Sequence, residues 1–263
     1  MRYAIGEIHG GSKTFKVILD KINLKHGDCL FLLGDYVDRG PDSIGVLKMI
    51  CGLIDAGYDV RPIRGNHDDM LYRTITGDHD VFSQIYFDKW GKQFFSELWG
   101  TFEIDDFHLR VLLSDKSLFP EDCFNLLKMM PYVFEDSDYV FVHGALDMSV
   151  DDPVHETSYI RMLWNGYNFV DSAKLRGRQL VGCHSIKSID EIRGSLTSSV
   201  IRIDNGAFTN AQPERGNLVA LNLDIKELII QPWTDGETKS EIPVNLPSSK
   251  QTRIAKPATR RIY

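Results

Sequence analysis

Residues 28–40 read DCLFLLGDYVDRG. A continuous apolar run stops at Gly34, and two acids and an arginine follow within six positions. An unbroken apolar run bounded by turn residues suits a strand covered on both faces. Upstream, RYAI (2–5) is a shorter strand signal. Phe15, Ile18, Leu19 and Ile22 then fall on one helical face, with Ser12 as the expected N-cap. Downstream, Ile44, Leu47, Cys51 and Ile54 repeat the helical spacing, and Gly57 is placed to end that helix. YDVRPIRG (58–65) gives a third strand. The order β-α-β-α-β predicts an α/β fold with a parallel sheet and right-handed crossovers.

The pattern then changes. Residues 68–130 are helical and aromatic-rich, as in VFSQIYFDKWGKQFFSELW (81–99), and read as an insertion beside the sheet. Strand signals return at YVFEDSDYVFVHGA (132–145), QLVGC (179–183), SSVIRID (198–204), NLVALNLD (217–224) and ELIIQPW (227–233). The last two suit a hairpin, and the β-rich second half predicts two sheets packed face to face. One domain over residues 1–246 is expected. Residues 247–263 carry Lys250, Arg253, Lys256, Arg260 and Arg261 with no acid. They read as a solvated tail, the functional rivals being a docking segment for an acidic partner or a strap over the body.

Composition limits the function classes. Of 263 residues, 43% are hydrophobic and 25% charged, enough to bury a core without disulfide or metal staples. The net charge of −7 argues against general nucleic-acid binding. Four cysteines, none in a CxxC pair, read as free thiols of a cytoplasmic chain. No stretch reads as a signal peptide or a membrane span. Oligomeric state is not legible.

Five stretches place metal-ligand residue types directly after a strand: GEIHG (6–10), GDYVDRG (34–40), RGNHDD (64–69), FVHGA (141–145) and VGCHS (181–185). In open α/β sheets, ligands gather at the carboxyl ends of strands, so these segments are expected to converge. They contain His9, His67, His143 and His184, half of the eight histidines. One such histidine is more often an ordinary core or surface residue. Four, accompanied by carboxylates and an asparagine, point to a metal centre. His26, His79, His108 and His155 fit no such stretch and read as surface or loop residues. Oxygen ligands mixed with imidazole suit manganese, iron or zinc better than calcium, and a shared aspartate can bridge two ions.

The series GEIHG…GDYVDRG…RGNHD…VHG…H resembles the metallophosphoesterase superfamily. Within it the chain is most similar to PPP-type serine/threonine protein phosphatases of the bacterial and phage branch, which also contains symmetrical diadenosine tetraphosphatases. The resemblance covers about residues 2–225. It departs from the usual pattern at Glu7, where aspartate is usual, and at Gly182-Cys183-His184-Ser185, where Gly-His-Thr is usual. The GHxH ending of the nuclease-like relatives is absent.

The resemblance implies a calcineurin-like β-sandwich of two mixed sheets flanked by helices, with the site at strand carboxyl ends. It implies two divalent metal ions, manganese first, with iron or zinc as alternatives. Glu7, His9 and Asp35 would hold the first, with Asp35 bridging to the second. Asn66, His143 and His184 would complete the second site. A hydroxide between the metals would attack phosphorus, Arg39 would hold the phosphoryl oxygens, and His67, supported by Asp38, would protonate the leaving oxygen. Arg161 would be a second phosphate-binding arginine. Asp204-Asn205-Gly206 reads as a structural turn. The implied function is a phosphomonoesterase acting on phosphoserine, phosphothreonine or phosphotyrosine in proteins or peptides. The alternatives are a symmetrical dinucleoside tetraphosphate hydrolase and, because of Glu7, a low-activity binding module.

Overall fold

The computed structural model describes residues 1–78, 80–100, 103–166, 169–209 and 214–236. The basic segment 247–263 and His79 lie outside the described residues. The first sheet takes β1 (Arg2–Ile5), β2 (Cys29–Leu32) and β3 (Asp59–Pro62) in parallel, joined by α1 (Ser12–Ile22) and α2 (Ser43–Asp55). After β3 the chain runs through α3 (Asn66–Ile75), α4 (Val81–Tyr86), a π-turn at Phe87–Gly91, α5 (Lys92–Trp99), α6 (Asp106–Leu113) and α7 (Glu121–Met129). A second sheet follows, built from β4 (Val133–Glu135), β5 (Tyr139–Val142), β6 (Gln179–Gly182) and β7 (Val200–Arg202). Short helices α8 (Pro153–Glu156), α9 (Tyr159–Trp164) and α10 (Ile189–Ser195) fill its connections. The hairpin β8 (Asn217–Asn222) and β9 (Glu227–Pro232) then returns to the first sheet, giving the order β3-β2-β1-β8-β9 with β8 antiparallel to β1.

Alternation along the strands sorts the core into layers. In β2 and its continuation, Leu30 and Leu32 face the helices, whereas Phe31 and Leu33 face the second sheet. In β5, Phe141 points into the same inter-sheet layer and Val140 and Val142 point outward. Phe31 stacks on Phe141 at 3.8 Å between centroids. Truncating either ring to alanine removes a central contact of the sandwich, worth about 3–5 kcal/mol. This layering explains the unbroken apolar run of β2, since both of its faces are covered.

Most of the insertion's aromatics are core, Phe107 being the exposed exception. Phe82, Tyr86, Trp90, Phe94 and Phe95 are all buried with the helix-side cluster. One local expectation fails. Ser12 is the first helical residue of α1 and not its cap, and Gly11 precedes it without a side-chain cap. The helix N-terminus is closed from far away: Asp235 accepts the N–H groups of Lys13 and Thr14, each at 2.8 Å. Gly11 leaves room for Trp233, whose ring lies where a β-carbon would sit. The segment after β9 therefore braces the loop that carries His9.

Candidate metal centre

The site is assembled at the carboxyl ends of β1, β2, β3, β5 and β6. Nine non-glycine residues have positive φ among those described. Six are here: Glu7, His9, Asp35, Asp38, Arg39 and His184. Such conformations cost about 1–3 kcal/mol each and persist where the surroundings fix them. The fixing contacts are visible. Asp68, fully buried, accepts the backbone N–H groups of Asp35 (2.8 Å), Tyr36 (3.0 Å) and Gly65 (2.9 Å). It ties the loop after β2 to the start of α3. Gly34 has φ +93°, and a β-carbon there would meet the Gly65 nitrogen at 2.5 Å, so only glycine lets the two loops approach.

Asp35 is the centre of the arrangement. Its Oδ1 accepts the His67 N–H at 3.0 Å. Its Oδ2 stands 3.6 Å from His9 Nε2 and 3.6 Å from His143 Nε2. His9 Nδ1 must donate to the Val37 carbonyl at 2.9 Å, so its Nε2 carries a lone pair. That lone pair faces Glu7 Oε2 at 3.1 Å. His143 repeats the design: Nδ1 donates to the Leu33 carbonyl at 2.9 Å, and Nε2 faces Asn66 Oδ1 at 2.9 Å and His184 Nδ1 at 3.1 Å. His184 is itself held by the Trp164 backbone.

Acceptor atoms thus converge on acceptor atoms in a buried place. That is unfavourable unless positive charge sits among them. Burial drives the His9 pKa down to about 3, and the Arg39 charge adds to this. Burial and His143 likewise lower His184 to about 3. For His143, burial pulls down but the Asp35 and Glu7 carboxylates prevail and raise it. Carboxylate, amide oxygen and neutral imidazole form a donor set that fits divalent cations. Two groups of donors share Asp35: His9, Asp35 and His67, and Asp35, His143 and His184, each spanning no more than 4.8 Å. Glu7 groups with His143 and Cys183 by the same measure.

Beside these donors lies a second pair. His67 Nδ1 is 2.7 Å from Asp38 Oδ2, and the other Asp38 oxygen accepts the Tyr86 hydroxyl at 2.9 Å. Burial raises the Asp38 pKa well above its usual value and lowers that of His67. Arg39 Nη2 lies 3.5 Å from His67 Nε2, and its guanidinium sits 3.9 Å above the Phe208 ring and 5.8 Å from Trp90. A cation held against aromatic faces loses side-chain freedom before it meets an anion.

The chain matches the calcineurin-like phosphoesterase family model over residues 3–194, most of its length. The chain belongs to the calcineurin-like phosphoesterase family. Over 88 residues it is 38% identical to the symmetrical bis(5'-nucleosyl)-tetraphosphatase of Buchnera aphidicola subsp. Acyrthosiphon pisum (strain Tuc7), a match covering 33% of this chain and 31% of that protein. The chain therefore spans about a third of the length of the curated relatives it matches. Among solved structures, a metallophosphoesterase from Sphaerobacter thermophilus superposes with TM-score 0.51 at 14% identity, covering 89% of this chain and 88% of that one. A protein serine/threonine phosphatase from Saccharomyces cerevisiae superposes with TM-score 0.51 at 15% identity, covering 94% and 81%. At these identities the structures speak for the fold, which is the calcineurin-like sandwich of two mixed sheets. No helix among the described residues is long and apolar enough to cross a membrane.

The family's expected site residues fall as follows. Glu7, His9, Asp35, Asp38, Arg39, Asn66, His67, His143 and His184 come together. Arg161 is placed differently: its side chain is half-exposed and reaches Asp147 at 3.5 Å, while its backbone carbonyl accepts the Ala145 N–H beside His143. Asp204 accepts the Gly206 N–H at 2.8 Å, as a turn requires. Four residues escaped sequence reading: Asp68, Tyr86, Phe208 and Cys183. Asp68 stood inside a quoted motif but lacked a visible partner. Tyr86 and Phe208 sit in segments that looked like ordinary core and loop. Cys183 places Sγ 3.2 Å from His143 Nδ1.

Proposed function

We propose that this phosphoesterase is a dinuclear-metal phosphomonoesterase acting on phosphorylated side chains of proteins. The observation that carries the reading is Asp35 Oδ2, equidistant at 3.6 Å from His9 Nε2 and His143 Nε2, a bridging position between two donor groups. Glu7, His9 and Asp35 would hold one cation, and Asp35, Asn66, His143 and His184 the other. Two cations held there, manganese being our assignment, supply an activated water and neutralise phosphoryl charge. Arg39 binds phosphoryl oxygens through its planar fork, kept in place by Phe208. His67 delivers a proton to the leaving oxygen, with Asp38 orienting its ring through Nδ1. The presence of Arg39, His67 and Asp38 together argues for catalysis over a binding-only role, which needs no proton donor. Arg161 reaches phosphate in this reading only by leaving Asp147.

Among the described residues of 81–99 the large aromatics other than Trp99 are buried, which leaves little platform for stacking a base. A second reading, symmetrical cleavage of a dinucleoside tetraphosphate, is favoured by the name of the Buchnera relative. Turnover of a phosphopeptide and of diadenosine tetraphosphate under the same manganese concentration separates the two. Preference for the phosphopeptide is expected; a strong preference for the dinucleotide would overturn the substrate assignment and leave the metal chemistry standing.

A further inference from the structure

Away from the phosphoesterase centre, a second group of donors lies between α2 and α7, which pack against each other. Cys51 of α2 and Cys123 of α7 bring their sulfurs near each other, with the Asp122 carboxylate beside them. One donor atom from each of Cys51, Asp122 and Cys123 lies within 4.8 Å of the others. Cys123 is fully buried, Cys51 is 9% exposed and Asp122 is exposed. The group is therefore closed on its sulfur side and open to solvent on its carboxylate side. Asp55 stands one turn after Cys51 on α2, and its charge also acts on that thiol. Both thiols are free.

We propose that Cys51, Cys123 and Asp122 form a binding site for one zinc-like divalent cation, with solvent at the fourth position. Two sulfurs and one carboxylate are a donor set for borderline and soft ions, which prefer tetrahedral surroundings. Zinc–sulfur bonds of about 2.3 Å and zinc–oxygen bonds of about 2.1 Å need only small closure of the group. The surrounding charge selects a cation. Asp122 and Asp55 place negative charge beside the sulfurs, which stabilises a bound divalent ion. Binding releases the two thiol protons to solvent as the metal–sulfur bonds form, so no oxidant or reductant is involved. The bound ion joins the insertion to α2, whose first residue, Ser43, accepts the Asp38 N–H at 3.0 Å.

The test uses the full-length protein, stripped with a chelator under a thiol-free reductant and titrated with cadmium. Ultraviolet sulfur-to-cadmium charge-transfer absorbance reports thiolate ligation. Wild type and Cys183→Ser are expected to show the band, with an amplitude matching one thiolate-bound ion per chain. Cys51→Ser and Cys123→Ser are expected to lose it. Asp122→Asn, an exposed change with little risk to folding, is expected to weaken cadmium binding by about tenfold or more. The proposal is overturned if wild type shows no band or if the band survives Cys51→Ser. It is equally overturned if Cys183→Ser alone removes the band, or if Asp122→Asn binds cadmium as wild type does.

Discussion

The Glu7 carboxylate accepts the backbone N–H of His184 at 2.8 Å, joining two loops 177 positions apart. The same carboxylate faces His9 Nε2 through its other oxygen, at 3.1 Å. One side chain thus spans the loop after β1 and the loop after β6. The extra methylene of glutamate gives it that reach. Glu7→Asp withdraws the carboxylate from one of the two contacts. Manganese affinity is expected to fall about tenfold or more, and for both ions, because His184 belongs to the other donor group. Isothermal titration checks this, and unchanged affinity would refute the coupling.

Asp38 orients His67 at 2.7 Å, and Tyr86 holds Asp38 in turn. Asp38→Asn is expected to lower kcat about a hundredfold or more with manganese affinity unchanged. Tyr86→Phe removes one buried hydrogen bond and is expected to cost about 1 kcal/mol of stability with a smaller loss of kcat. Steady-state kinetics beside urea unfolding separates the two effects.

The Arg39 guanidinium sits over the Phe208 ring at 3.9 Å. Arg39→Lys keeps the charge but loses the fork and the stacking. The expected result is a kcat/KM about tenfold or more lower for p-nitrophenyl phosphate. Retention of wild-type kcat/KM would remove Arg39 from phosphoryl binding.

Glu97 ties the insertion to α2 by accepting the Ser43 N–H at 2.8 Å. Burial raises its pKa from 4.5 to about 7. Between those values the unfolded chain has released this proton and the folded chain has kept it. Stability from this group therefore falls as pH rises from about 4.5 to about 7 and is level above. The loss is of order 3 kcal/mol. Comparing wild type with Glu97→Gln by urea unfolding across this range isolates it: the variant is expected to gain relative stability as pH rises.

The sequence made the parallel β-α-β-α-β start, the final hairpin and the donor-bearing loops legible because these follow local rules. Apolar runs such as 29–33 announce covered strands, and His9, Asp35, Asn66 and His143 each follow one directly. What stayed hidden depends on distant partners. Asp235 caps α1 from 222 positions beyond Lys13, and no window around Ser12 contains it. Asp68 organises two loops through backbone N–H groups, a role without a residue signature. The Cys51–Cys123 contact arises only from the packing of α2 on α7. The Arg161 side chain likewise meets a partner, Asp147 at 3.5 Å, that no sequence pattern announces.

The central claim is a shared Asp35 between two cations. Electron paramagnetic resonance of the protein loaded with two equivalents of manganese tests it most directly. A spin-coupled dimanganese signal, lost in Asp35→Asn, is the expected result. A signal from isolated manganese ions only, unchanged in Asp35→Asn, would contradict it.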